Sequence, residues 1–183
     1  MRYLVVLIAL LSCTAYSLDS RLLRYINNPT LVVESPYSAK KYPVLMSADY
    51  ESQIVNSWGD VLVILNPFEL IIIRDQIQGD SSIYFSLSLI ERYATYHEIA
   101  HAEYKSPNEK VNECYADVMA LTMLTKKMDD NFMRPFVLYR FSEFRRNSVV
   151  DMYKNHQSIL TLIDFPINGS SEAIELCKRE SNQ

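Results

Sequence analysis

Residues 97–101 read His-Glu-Ile-Ala-His, and this spacing suits a metal-binding helix. Side chains four residues apart lie above one another on the same face of an α-helix. The imidazoles of His97 and His101 can therefore converge on one metal ion. Glu98 is rotated by about 100° from His97 around the helix axis. Its carboxylate should border the ion, where it can hold and deprotonate a water molecule bound to the metal.

The rest of this helix indicates that the two histidines point inward. His97 and His101 share their helix face with Ile90, Ala94 and Tyr104. A mainly apolar face of a helix packs into the protein, and burying an imidazole without a partner is costly. The two histidines therefore require polar or metallic partners.

A second polar pair follows after a break at residues 105–108. Glu113 and Asp117 lie four residues apart on an otherwise apolar stripe of the next predicted helix. If the two helices pack antiparallel across the break, a carboxylate can reach the metal. We assign Glu113 as the third ligand, and Asp117 as the acceptor of the other ring N–H of a histidine. The reverse assignment of these two carboxylates stays open.

Together the two motifs, His97-Glu98-Ile99-Ala100-His101 and Glu113-Cys114-Tyr115-Ala116-Asp117, resemble those of the zincin metallopeptidases of the gluzincin type. The resemblance covers residues 60–130. It implies one zinc ion bound by His97, His101 and Glu113, with Glu98 as general base and acid. It also implies hydrolysis of peptide bonds and a small sheet packed on the active-site helix.

A transition-state donor is expected in addition to the metal, because a developing oxyanion usually needs a second stabilising group. Tyr153 and His156 lie three residues apart and share one face of a predicted helix. We name both as candidate donors, and the alternative is that both are ordinary surface residues. His156 also remains an alternative third metal ligand.

The N-terminus indicates export. Residues 3–11 form an unbroken apolar run behind Arg2, too short to span a bilayer, which needs about 20 residues, but typical of a signal peptide. We predict a signal peptide over 1–17 and a mature domain over 18–183, secreted or periplasmic. A lipobox-like stretch ending at Cys13 offers an alternative signal over 1–12, and a lipid on Cys13 would then tether the protein to the membrane. The other alternative is that the apolar run forms a buried N-terminal strand.

The pattern of the remaining chain predicts a single α+β domain with a helical C-terminal half. Extended pieces are expected before residue 58, and β-branched runs predict two strands, Val61–Leu65 and Leu70–Ile73, joined by a turn at Asn66-Pro67. Asp80 or Ser81 is expected to cap the helix that carries the histidines. Predicted helices span 82–104, 109–127, 132–144 and 149–163, followed by a short C-terminal helix.

Two further features concern packing. Cys114 and Cys177 both follow either predicted cleavage site, and the sequence leaves their pairing open. Aromatic residues alternate with four arginines between residues 132 and 146, which is typical of a core-facing helix with arginines along its edge. These are Arg134, Arg140, Arg145 and Arg146.

The composition excludes several classes of function. With 3 glycines in 183 residues, the chain has no glycine-rich phosphate loop. A net charge of −4 gives no electrostatic basis for nucleic-acid binding. Two alternatives to a peptidase remain. One is a catalytically silent zincin-like protein, such as a surface protein or inhibitor. The other is a zinc hydrolase of a non-peptide amide, such as a cell-wall linkage. Substrate identity and oligomeric state stay open.

Overall fold

A computed structural model describes residues 31–57, 60–129, 131–148 and 155–182 of the chain. Within these ranges it contains a four-stranded sheet and six helices, which confirms the α+β class. The predicted signal peptide, Cys13 and Tyr153 lie outside the described residues. Across the described ranges, no helix has the length and apolar character needed to span a membrane.

The sheet places one fully buried strand in its interior. Its strands are β1 (Leu31–Glu34), β2 (Lys41–Met46), β3 (Gln53–Ser57) and β4 (Asp60–Leu65), in the order β1-β2-β4-β3. β2 and β4 are parallel, and the two outer pairs are antiparallel. Residues 62–65 are buried on both sheet faces, so the strand predicted at Val61–Leu65 is confirmed. β3 lies at a sheet edge.

The helices pack around a central one. α3 is buried along most of its length and contacts the helices before and after it in the chain, and also both C-terminal helices. The six helices are α1 (Pro67–Gln78), α2 (Leu87–Glu103), α3 (Glu109–Thr125), α4 (Met133–Arg146), α5 (His156–Asp164) and α6 (Ser170–Ser181).

The strand predicted at Leu70–Ile73 is wrong, because these residues lie within α1. The Asn66 side chain accepts a hydrogen bond from the Phe68 N–H at 2.9 Å, and Pro67 occupies the first helical position. A capping Asn followed by Pro is a helix start signal, and it outweighs the β-branched run. Ile72 is 55% exposed, so the isoleucine run does not lie wholly in the protein interior.

The helix predicted from residue 82 begins instead at Leu87. Its cap is Ser86, whose hydroxyl accepts from the Leu89 N–H at 3.3 Å, so the expected cap at Asp80 or Ser81 is wrong. The Gln78 side chain holds the preceding loop, donating to the carbonyls of Ser81 and Ile83 and accepting from the Phe85 N–H. These bonds stabilise a loop where the sequence predicts helix.

Two arginines of α4 close the ends of other helices. Arg140 donates to the Ile77 and Gln78 carbonyls at the end of α1. Arg134, which is buried, donates to the Leu162 and Ile163 carbonyls near the end of α5. Cations at these positions satisfy terminal carbonyls and complement the helix dipole. The predicted edge position is therefore wrong for Arg134, whereas Arg140 is only half-buried. Each guanidinium joins α4 to a neighbouring helix.

A disulfide joins α3 to α6. Cys114 and Cys177 are bonded, with their Cα atoms 5.6 Å apart, which answers the question that the sequence left open. Both residues are buried. Since Cys114 directly follows Glu113, the cross-link fixes the helix segment that carries this carboxylate.

Candidate metal centre

An antiparallel helix pair brings the histidines and the carboxylates together. His101 faces Glu113, and one turn earlier on α2 His97 faces Asp117, one turn later on α3. The connection between the helices is short, and Asn112 on α3 stabilises it by bonding to both the backbone N–H and the carbonyl of Ser106. The condition set by the sequence, antiparallel packing of the two helices across this break, is therefore met.

His97, His101 and Glu113 form a group that could hold a metal ion, with one ligand atom from each within 4.8 Å of the others. The two imidazole Nε2 atoms are 3.2 Å apart. Nε2 of His101 lies 3.2 Å from Oε1 of Glu113, and Nε2 of His97 lies 3.6 Å from its Oε2. Ligand atoms held at about 2.0–2.1 Å by a tetrahedral ion lie about 3.3 Å apart. The two 3.2 Å spacings, which meet at Nε2 of His101, fit such an ion, whereas the 3.6 Å spacing is to the other oxygen of Glu113.

Asp117 lies behind the histidines and not in this group. It is fully buried, and its Oδ1 accepts from the Tyr93 hydroxyl at 2.7 Å. Oδ1 also lies 3.0 Å from Nδ1 of His97, although the ring N–H is not aligned for a strong hydrogen bond. Oδ2 accepts from Nε of Arg145 at 2.6 Å and from Nδ2 of Asn155 at 3.0 Å. Both oxygens are thus engaged on the side of His97 away from Glu113.

The electrostatics of the cluster favour charged forms of its members. Burial acts to raise the pKa of Asp117, but the Arg145 charge and the His97 and Asn155 contacts lower this pKa to about 2. For Glu113, burial is outweighed by hydrogen bonds from His101 and His97, and its pKa falls far below the usual range. Burial acts to lower the pKa of His97, but Asp117 and Glu113 raise it to about 10. Without a metal, the cluster pairs ionised carboxylates with an imidazolium.

The roles of three side chains in this network were not predicted from the sequence: Tyr93, Arg145 and Asn155. Arg145 also donates from Nη2 to Oε2 of Glu113 at 3.3 Å, and its side chain is only 13% exposed. The edge position predicted for Arg145 is therefore wrong. A signal existed, because Arg145 follows the buried Phe141 by four residues and so shares its helix face. By the same spacing, Tyr93 precedes His97 on α2.

A cleft of about 580 Å³ opens beside the metal-binding group. Its walls come from α2, the α2–α3 connection, the start of α3 and residues 52–54 at the start of β3. Glu98 lines this cleft together with His97, His101 and Glu113. Burial raises the pKa of Glu98, and the neighbouring histidines oppose this shift. The predicted catalytic carboxylate therefore shares one accessible space with the donor atoms.

His156 is the first residue of α5 and is not among the described residues that line the cleft. Its Nδ1 is buried and has no hydrogen-bond partner within the described ranges. The residue before it, Asn155, provides the contact with Asp117 instead. The donor role of His156 stays a prediction, and the donor role of Tyr153 falls outside the described residues.

Comparisons of the chain with protein-family models, with curated proteins and with solved structures found no match. The interpretation of the centre therefore depends on its donor atoms, their spacing and their surroundings.

Proposed function

We propose that the protein is a zinc metallopeptidase with a gluzincin-like site that hydrolyses peptide bonds. The observation that carries the proposal is the convergence of donor atoms from His97, His101 and Glu113. Nε2 of His101 lies 3.2 Å from both Nε2 of His97 and Oε1 of Glu113, close to the edge length of a tetrahedron around an ion. Catalytic zinc sites use three protein ligands of this kind and leave the fourth position to water or substrate. The cleft gives access to that position.

Each protein group has a distinct task in this proposal. His97, His101 and Glu113 hold the ion, and Asp117 orients His97 so that Nε2 of the ring faces the ion. A zinc ion bound here would supply a Lewis acid that polarises a carbonyl and lowers the pKa of water to about 7. Asp117 itself stays ionised and does not exchange protons at neutral pH, because its pKa is about 2.

Glu98 is the proton carrier. Its carboxylate accepts a proton from the attacking water and then donates this proton to the nitrogen of the leaving amine. The half-buried position at the cleft supports the assignment. Burial raises the pKa of Glu98, which brings its protonated form closer in free energy to the carboxylate. A group that must take up and release a proton within one turnover benefits from this balance.

The wall formed by the start of β3 supports a peptide as the substrate. β3 is an edge strand of the described sheet, and Ser52, Gln53 and Ile54 line the cleft beside the donor atoms. An edge strand offers backbone N–H and C=O groups for pairing, and extended peptides bind proteins by adding to such edges. A peptide bound along β3 would pass the centre in extended form.

Export is part of the proposal. A buried disulfide is typical of proteins that fold in oxidising compartments, and Cys114 and Cys177 form one here. This supports a secreted or periplasmic location for the mature chain. Tethering by a lipid on Cys13 stays a prediction.

Metal content is the direct test of the site. We expect the purified protein to contain one zinc ion per chain by elemental mass spectrometry, and the His101→Ala variant to lose most of it. A matched control is Glu109→Gln, which changes an exposed carboxylate on the same cleft and should keep the zinc. A wild-type protein that takes up no zinc would refute the proposal.

Hydrolysis is tested separately on a mixed peptide library with product analysis. Glu98→Gln should keep its zinc and lose about 10²–10⁴-fold in rate, which is the contribution of a general base. Unchanged hydrolysis in this variant would contradict the assigned base. Zinc binding without any cleavage of peptides would instead identify a non-peptidase, either silent or specific for another amide.

A further inference from the structure

We propose that Arg145 is a positioning residue of this centre, one that fixes the orientation of the two carboxylates that face the histidines. The inference rests on the proposed zinc site. Nε of Arg145 donates to Oδ2 of Asp117 at 2.6 Å, and Nη2 donates to Oε2 of Glu113 at 3.3 Å. One guanidinium therefore spans the two carboxylates of α3.

The two carboxylates need such a bridge. Glu113 and Asp117 lie four residues apart on one helix face, and like charges at this spacing repel each other. Asp117 is fully buried, and an ionised carboxylate in that position is strongly destabilising unless it is paired. The positive charge of Arg145 lies against both groups and removes both problems at once.

Arg145 also binds one particular oxygen atom of each carboxylate. Because Arg145 and Asn155 occupy Oδ2 of Asp117, Oδ1 is left facing Nδ1 of His97. Arg145 also binds Oε2 of Glu113, which lies 3.6 Å from Nε2 of His97, while Oε1 lies 3.2 Å from Nε2 of His101. Each carboxylate thus has one oxygen bound to Arg145 and the other facing a histidine nitrogen.

The shape of the side chain matters as well as its charge. A guanidinium is planar, and its Nε and Nη2 donors have a fixed separation, whereas a lysine ammonium is a single point. A lysine at this position could not donate along both directions with the same spacing. Arg145 is not among the described residues that line the cleft, so it acts on the centre through the two carboxylates.

The test compares zinc affinities in a chelator competition, without any measurement of hydrolysis. Arg145→Met and Arg145→Lys should each bind zinc about 10–100-fold more weakly, as expected when a group that orients a metal ligand is lost. Arg146→Met is the matched control, because Arg146 is 54% exposed and pairs with Glu143 on its own helix. Its zinc affinity should equal that of the wild type.

The lysine variant separates position from charge. Wild-type affinity in Arg145→Lys would show that charge alone suffices and would overturn the proposal. The absorption spectrum of bound Co²⁺ gives a second readout, since a displaced ligand changes its intensity and band positions. If Arg145→Met does not fold, the lysine variant, which keeps the charge, carries the test with the same two readouts.

The outcomes also separate this inference from the proposed function. Equal zinc affinity in the wild type and both Arg145 variants would overturn the inference and leave the peptidase proposal standing. Weakened affinity in both variants, in a protein that cleaves no peptide, would support the inference while the peptidase proposal fails. A wild-type protein that binds no zinc would overturn both.

Discussion

Helix α3 carries two carboxylates whose surroundings are opposite. The Glu113 side chain is 21% exposed and borders the open cleft, whereas Asp117 is 0% exposed. Glu113 meets two histidines and one nitrogen of Arg145, while Asp117 is surrounded by donors from four different residues. The two carboxylates therefore differ in their surroundings although they are one helical turn apart. Glu113 lies on the cleft side of the centre, and Asp117 lies on its core side.

This difference in burial predicts that the two carboxylates contribute unequally to the stability of the fold. A partly exposed carboxylate keeps some of its solvation, so its ion pairs contribute less to stability than those of a fully buried one. A buried carboxylate cannot be solvated, and removing one partner of such a pair costs about 3–5 kcal/mol. The cleft side can therefore change its ligands or protons while the core side holds the helices together.

Replacing Asp117 should have the largest effect. We expect Asp117→Ala to lower the free energy of unfolding by about 3–5 kcal/mol, because the positive charge of Arg145 is left buried without its main partner. Urea denaturation in the presence of a chelator measures this change without any contribution from bound metal.

Glu113→Ala is the matched comparison under the same conditions. It should destabilise the chelated protein clearly less than Asp117→Ala does, because Glu113 keeps some contact with solvent, and yet it should abolish zinc binding. Equal destabilisation by the two substitutions would show that the division between a cleft side and a core side is wrong.

The disulfide offers the next test of the core side. The double variant Cys114→Ala/Cys177→Ala should lose about 2–4 kcal/mol of stability, because the unfolded chain regains the freedom that the cross-link removes. Thermal unfolding with and without reductant measures this loss. Reductant should not change the thermal unfolding of the double variant. If full reduction also left the thermal unfolding of the wild type unchanged, the prediction would be contradicted.

The helix pair of the centre could be predicted from the sequence because its signals are local. Polar residues four apart on apolar stripes identify both helices and the residues that face each other. The misassigned α1 is equally instructive. Its run of isoleucines is typical of a strand, but the Asn66 cap and Pro67 start a helix here. From the sequence, this pair was interpreted as a turn between two strands.

The supporting network was harder to predict. Tyr93 and Arg145 each follow the helical spacing from a site or core residue, so both were within reach of the pattern. Asn155 carries no such signal, since it precedes α5 and meets Asp117 across 38 residues of sequence. Contacts of this kind depend on how whole helices pack, and one sequence does not contain that information in local form.

The pH dependence should differ between the metal-free and the zinc-loaded protein. His97 has an unfolded-state pKa of about 6.5 and a native pKa of about 10. Its protonated form therefore stabilises the metal-free fold fully below pH 6.5, and this contribution is lost as the pH rises through about 10.

We expect the chelated protein to lose about 1 kcal/mol of stability per pH unit between about pH 7 and 9. Zinc requires the neutral imidazole, so zinc affinity should rise over the same range by up to about tenfold per pH unit for each proton released on binding. Urea denaturation at several pH values, with chelator and then with zinc, measures both slopes. A His97→Ala variant should show a flatter slope in chelator, and an unchanged slope there would assign the effect to another group.

Tyr93→Phe should have the smallest effect of this set. The variant loses only the hydroxyl that donates to Oδ1 of Asp117 at 2.7 Å, while the packing of its ring against Phe141 is retained. Asp117 keeps its other donors, so we expect a loss of about 1 kcal/mol, the net value of one hydrogen bond, in urea denaturation with chelator. Tyr139→Phe, on an exposed residue of α4, should change stability by less than about 0.5 kcal/mol. A loss in Tyr93→Phe as large as that in Asp117→Ala would contradict this expectation. Removal of one donor would then destabilise the protein as much as removal of the carboxylate, and the contacts of Asp117 could not be treated as separate contributions.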